Sequence, residues 1–305
     1  MATVFVTRAL PGDALVRLGA AHDVTVWDGA LPPVPAVLRE AVAGAEGLLC
    51  LLTDRVDAPL LDAAPRLRAI ANYAVGTDNI DLAQTVARGI PVGVTPDVLT
   101  EATADLAFAL LLAAARRLPE AAAAAREGAW RTWEPAGWLG TDVDGAALGI
   151  VGFGRIGRAV ARRAEGFRMV VRSTADTSLE ELLARSDFVS LHCPLTPRTR
   201  HLIDAEALAR MRPGAILVNT ARGGVVDQDA LIAALRRGVI AGAAIDVTDP
   251  EPPAPGDSLF ETPNLLVVPH IGSATRTARA RMTELAVENL LAGLDGRPMP
   301  HPAGG

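Results

Sequence analysis

There is no lysine in these 305 residues; all 29 basic side chains are arginine. That absence removes Schiff-base chemistry on a carbonyl substrate or on pyridoxal phosphate, and with it the P-loop lysine that grips a nucleoside triphosphate. Cysteine is nearly missing too. Cys50 and Cys193 stand far apart in apolar runs with no C-x-x-C pattern, which argues against a disulfide framework and predicts reduced, buried thiols. No basic stripe is present and the net charge is −6, so nucleic acid is not an expected partner; no metal-ligand set is expected either. The longest apolar run, near Ala102–Ala115, is interrupted by Asp105 and falls short of a bilayer span. Met1–Phe5 begins directly as a strand, without a basic leader. These absences together predict a soluble, cytoplasmic protein with no membrane partner.

What is present is a globular composition, 50% apolar and 21% charged, in a chain long enough for two domains. Short apolar runs at Val4–Thr7, Val24–Trp27, Gly47–Leu52, Ala69–Asn72 and Val92–Val94 alternate with helical stretches at Ala14–Leu18, Pro35–Ala43 and Asp81–Arg88. A long helix is predicted from about Glu101 to Gly128, with Thr100 as its N-cap. A Trp-rich stretch, Trp130 to Thr141, leads into a second strand–helix series from Ala147 to about Ile271. The last helix, Thr275–Leu294, precedes a Pro- and Gly-rich tail expected to fray. The rhythm predicts an α/β fold with parallel sheets covered on both faces.

Leu148–Val151 runs into Gly152-Phe153-Gly154-Arg155-Ile156-Gly157, and a helical segment follows. The motif gains meaning from sitting between a strand and a helix. Gly152 permits a tight turn, Gly154 lets backbone approach a pyrophosphate, and Gly157 allows close helix–strand packing. The helix N-terminus then faces the anion. About twenty residues on, where a ribose-binding acid is expected, stand Arg172, Ser173 and Thr174, which suit a 2′-phosphate and favour NADP over NAD. Asp176 is close enough to restore an NAD-type carboxylate, and Arg172 read as a solvated strand-end charge is the competing explanation.

Three later strands end in polar residues: Ile216–Asn219 before Arg222, Ala243–Val247 before Glu251, and Leu265–Val268 before His270. Open α/β sheets place ligands at such carboxyl ends. Arginine can grip a carboxylate and polarise a ketone, histidine can deliver a proton, and glutamate can orient the imidazole. The combination suits reduction of a 2-oxoacid by a nicotinamide dinucleotide. His22, His192, His201 and His301 have no such company.

The runs Asn72–Asp81, Leu99–Leu112, Gly149–Gly157, Ser186–Thr196, Val218–Gly223 and Pro269–Thr275 resemble the D-isomer-specific 2-hydroxyacid dehydrogenase family, and within it the glyoxylate/hydroxypyruvate reductase branch. The resemblance implies two Rossmann-like domains about a cleft. A flavodoxin-like substrate domain would take 1–98 plus 285–305, and an NAD(P)-binding domain 99–284. It implies catalysis by His270, Glu251 and Arg222, with Val75 and Gly76 amides holding the substrate carboxylate. Leu51 would line the pocket, where the lack of arginine disfavours phosphorylated substrates. It further implies cofactor contacts from Thr103, Arg155, Ile156, Cys193, Pro194, Thr220, Ala221, Asp246 and Gly272. Trp138 would reach across a homodimer paired through the nucleotide domains. Two departures stand out: the segment between Met169 and Ser178 is short by a predicted helix and strand, and Thr248-Asp249 replaces an aromatic and a glutamate.

Overall fold

A computed structural model of the chain describes residues 1–304. They pack as two compact units, 1–99 with 274–305 and 100–273. In the first, five strands, β1 (Thr3–Val6), β2 (Asp23–Val26), β3 (Gly47–Cys50), β4 (Ala69–Asn72) and β5 (Val92–Gly93), alternate with α1 (Ala14–Ala21), α2 (Pro35–Val42), α3 (Ala58–Ala63) and α4 (Leu82–Ala87). All pairs are parallel, in the order β2-β1-β3-β4-β5. This is the flavodoxin-like order. Alternate residues face opposite layers: Val4, Val6, Leu49 and Ala71 enter one core, Phe5, Leu48, Cys50 and Ile70 the other.

The second unit opens with α5 (Thr100–Ala115) and α6 (Leu118–Arg126), followed by β6 (Ala147–Val151), α7 (Arg155–Glu165), β7 (Val170–Ser173), α8 (Leu179–Arg185), β8 (Phe188–Leu191), α9 (Ala205–Arg210), β9 (Ile216–Asn219), α10 (Gln228–Arg236), β10 (Gly242–Ile245) and β11 (Leu265–Val267). Its parallel sheet runs β11-β10-β9-β8-β6-β7. The order reverses at β6, as in a doubly wound nucleotide sheet with one strand fewer beyond β7. Only residues 174–178 separate β7 from α8, which matches the shortening read from the sequence. Strands buried along their whole length, such as β8, β9 and β10, are what a sheet covered on both faces requires.

The single helix predicted from Glu101 to Gly128 is two helices. Arg117 takes a left-handed backbone, φ 53°, and Pro119 has no N–H to continue the ladder. The Ala115 carbonyl accepts from the Thr141 amide instead, at 2.8 Å. Thr100 lies inside α5 rather than capping it. The last helix, α11 (Arg276–Leu294), is capped by Thr275 and belongs whole to the first unit, so the chain returns there at 274. The tail predicted to fray is tied down. Val94 and Ala303 amides donate to the His301 and Val92 carbonyls, and buried Asn289 accepts from the His301 amide at 2.9 Å. No helix among the described residues is long and apolar enough to cross a membrane.

Candidate active site

Parallel register sets five strand ends of the second sheet level. Val151 pairs with Leu191, Leu191 with Asn219, Asn219 with Ile245, and Ile245 with Val267. The residues that follow these strands therefore gather on one rim. They are Gly152–Gly157, Cys193-Pro194, Thr220–Arg222, Asp246–Glu251 and His270–Gly272, and the reversal point between β6 and β8 lies among them.

At the glycine turn each residue has a separate reason. Gly152 has φ +93° and a Cβ there would lie 2.5 Å from the Cys193 nitrogen; at Gly157 it would lie 2.4 Å from the Gly152 carbonyl. Both are fixed by backbone packing. A Cβ at Gly154 would meet nothing within 4 Å. That open space lies just ahead of α7, whose first residues are Arg155 and Ile156, and it is where a pyrophosphate needs room against helix amides. The turn therefore fits a dinucleotide. Beside it the Thr174 hydroxyl accepts from the Gly152 amide at 3.0 Å. Ser173 does not serve as predicted: it is 1% exposed and its hydroxyl donates to Asp176 at 3.0 Å. Its place as the last residue of β7 turns the side chain inward, while Arg172 stays partly exposed.

His270 follows β11 with a left-handed backbone, φ 51°, a conformation rare outside glycine and held only when surroundings enforce it. Its amide donates to the Asp246 carbonyl at 2.9 Å, and the next two amides, Ile271 and Gly272, bind the Asp246 carboxylate at 2.6 and 2.8 Å. Burial pushes the Asp246 carboxyl up from its ordinary value, against the Ile271 amide and the neighbouring imidazole. Gly272 packs on Asp246 and Thr103. The His270 Nδ1 lies 2.5 Å from Glu251 Oε1, and the Thr248 amide donates to Oε2 at 3.3 Å. The two side chains keep 25% and 31% exposure, so a small ligand can reach them.

Arg222 is presented by a turn that Asn219 shapes: its side chain accepts from the Ala221 amide and donates to the Arg222 carbonyl, both at 3.0 Å. The Arg222 guanidinium itself donates to the Ala221 carbonyl at 2.9 Å. Asn219 and Thr248 are contributors that residue-type reasoning passed over. An Asn directly after an apolar run is an available turn signal, whereas the Thr248 contact uses backbone and leaves no trace in the sequence. Thr220 is nearly buried, its hydroxyl without a protein partner among the described residues. Burial raises the Cys193 thiol, which leaves it unsuited to nucleophilic chemistry.

The remaining predicted residues do not follow these five strands. Leu51, Val75 and Gly76 belong to the first unit, just past β3 and β4. Trp138, also left-handed at φ 57°, stacks on the Arg117 guanidinium at 5.5 Å. Arg117 lines a cavity of about 310 Å³ with Leu139, Gly242 and Leu266, at the amino ends of the strands. Within one chain, Trp138 is thus away from the His270 rim.

A dinucleotide turn, an arginine and a histidine–glutamate pair on one sheet rim define an NAD(P)-dependent oxidoreductase. The family model described as D-isomer specific 2-hydroxyacid dehydrogenase, NAD binding domain, matches residues 108–272, and the chain belongs to this family. It is 49% identical to a glyoxylate reductase of Korarchaeum cryptofilum, over 98% of this chain and 94% of that one. A Thermus thermophilus crystal structure superposes with a TM-score of 0.93 at 52% identity, covering 99% of both chains. An NADPH-dependent glyoxylate/hydroxypyruvate reductase from Sinorhizobium meliloti, solved with NADP and malonate, superposes with a TM-score of 0.86 at 32% identity over 99% and 97%.

Proposed function

We propose that this protein reduces a small 2-oxoacid, glyoxylate or hydroxypyruvate, to the 2-hydroxy acid. The observation that carries the reading is the 2.5 Å contact between His270 and Glu251 on the strand rim that also presents Arg222. A dinucleotide held at the Gly152–Gly157 turn would supply the hydride that the carbonyl carbon receives. Arg222 draws electron density toward the carbonyl oxygen. His270, protonated, gives that oxygen a proton from Nε2, because Nδ1 faces Glu251. Glu251, in contact with Nδ1, keeps the ring in that orientation. The Val75 and Gly76 amides take the substrate carboxylate; neither donates to a protein acceptor among the described residues, as an anion cradle requires. Leu51 forms an apolar wall suited to a short substrate.

Arg172 supports the 2′-phosphate of NADPH, and the Asp176 carboxylate supports the free ribose of NADH. The protein acts in the cytoplasm as a homodimer joined through its nucleotide-binding units. Largely exposed Trp130, Trp133 and Leu139 support that pairing, since an apolar arm of this size calls for cover. The test is oxidation of NADPH and, separately, NADH with each oxoacid. Turnover with either is expected, and the ratio of the two measures the weight of Arg172. His270→Ala should lose on the order of 10²–10⁴ in turnover with cofactor affinity kept. An unchanged rate in that variant overturns the assignment.

A further inference from the structure

A buried polar network in the first unit has no part in the chemistry above. Asp54, 3% exposed, sits beyond β3. Its Oδ2 accepts from the hydroxyl of fully buried Thr7 at 2.5 Å and from the Leu51 amide at 2.7 Å. Asn79 donates to the Leu51 carbonyl at 3.0 Å and the Asp54 carbonyl at 3.1 Å. Fully buried Asn72 meets Asn79 amide to amide, its Nδ2 on the Asn79 Oδ1 at 3.1 Å, and donates to the Gly76 carbonyl at 2.9 Å. The chain of bonds runs from the end of β1, through the loop after β3, to the loop after β4.

Its targets are selective. It holds both backbone groups of Leu51 and the carbonyl of Gly76, the residues assigned to the substrate wall and the carboxylate cradle. Burial pushes the Asp54 carboxyl up, opposed by the Thr7 and Leu51 donors, so holding it there works against desolvation. Fully satisfied networks of this kind rigidify their surroundings and specify a single geometry. The Gly76 carbonyl shares its peptide plane with the Thr77 amide, so the Asn72 bond anchors the loop directly after the two cradle N–H groups and limits how far Val75 and Gly76 can turn.

We infer that Asn72, Asn79, Asp54 and Thr7 are positioning residues for the 2-oxoacid carboxylate: they orient the Val75–Gly76 amides and the Leu51 wall together, and so set substrate affinity without touching substrate. The inference rests on the reading that those amides bind the carboxylate.

The test uses the full-length protein with glyoxylate and NAD(P)H. Asn79→Ala, at a partly exposed position, should raise KM for glyoxylate about tenfold or more, the scale expected of a displaced binding group. Turnover at saturation should stay within about threefold and dinucleotide affinity, read by fluorescence, should not move. Thr7→Val should act the same way and Thr7→Ser, which keeps the hydroxyl, should restore wild-type KM. Gly76→Pro, which deletes a cradle N–H, separates the two readings. If it raises KM while Asn79→Ala and Thr7→Val leave it within twofold, the cradle stands and the positioning role falls. If Gly76→Pro leaves KM unchanged, the cradle reading itself fails and takes the inference with it. A parallel decline of KM, turnover and cofactor affinity in Asn79→Ala and in both Thr7 variants means a merely structural network and also overturns the inference.

Discussion

Adding one methyl group at Gly223 tests whether the rim geometry is what catalyses. A Cβ there would lie 2.0 Å from the Thr248 carbonyl oxygen, 2.1 Å from its carbon and 2.7 Å from the Asp249 nitrogen. All three are backbone atoms, so no side chain can rotate aside. Ordinary contact begins near 3.4 Å, which means that the two segments must part by about 1.4 Å. One segment carries Arg222, immediately before Gly223; the other carries Glu251, tethered to the Thr248 amide. Whichever gives way, a group that the proposed reaction uses moves by more than the ~1 Å that costs about 10²-fold in rate. Gly223→Ala should therefore lose at least about 10² in kcat/KM while the fold survives with a penalty of about 1–3 kcal/mol. Steady-state NAD(P)H oxidation gives the first quantity, and thermal unfolding the second. The glycine turn follows a different strand, so its own approach to the pyrophosphate should persist. A folded Gly223→Ala protein within threefold of the wild-type kcat/KM would refute the reasoning that Arg222 and Glu251 must keep their present separation.

Three further substitutions discriminate among parts of the second unit. Gly154→Ala has nothing within 4 Å to strike, so its melting temperature should match wild type while dinucleotide Kd rises about tenfold or more through lost pyrophosphate approach. Gly152→Ala, with φ +93° and a backbone atom at 2.5 Å, should fail on stability first; comparable melting and comparable Kd in both variants would contradict this division of roles. Burial holds His192 neutral, with its pKa brought from 6.5 down to about 4. As pH falls through that window the unfolded chain takes up the proton before the folded one, so stability drops, by about 2 kcal/mol between pH 6.5 and 4.5. Above the window neither state carries the charge and the contribution is flat. His192→Gln should remove this part of the acid sensitivity, measured by urea unfolding at the two pH values; parallel losses in both proteins would show that another group is responsible.

The boundary between what could be read from the chain and what could not follows sequence distance. Strand ends are local: an apolar run followed by Gly152, Arg222 or His270 carries its own signal. Parallel pairing then needs little more than matched run lengths to bring these residues to one rim. The break at Arg117 is also local, since Pro119 marks it. Other features depended on partners far along the chain. The tail was read as loose because its composition is that of a loop, yet its backbone pairs with β5, about two hundred residues earlier. Ser173 was read as a phosphate ligand by its type; one position along the strand decides whether a side chain faces ligand or core, and this one faces inward.

That last distinction bears on how the family's chemistry can be carried onto a particular chain. Arg222, Glu251 and His270 are constrained from several sides at once: by register through β9, β10 and β11, by the Asn219 turn, by the Thr248 amide and by the Asp246 clamp on the residues after His270. A residue so enclosed keeps its place when its neighbours in sequence change. The cofactor's far end has no such enclosure. β7 is an edge strand, its following loop spans only residues 174–178, and its side chains bind one another or the glycine turn. Substitutions at Arg172 or Asp176 should therefore shift the NADPH-to-NADH ratio while turnover at saturating cofactor stays near wild type, whereas no substitution at the His270 rim should change that ratio.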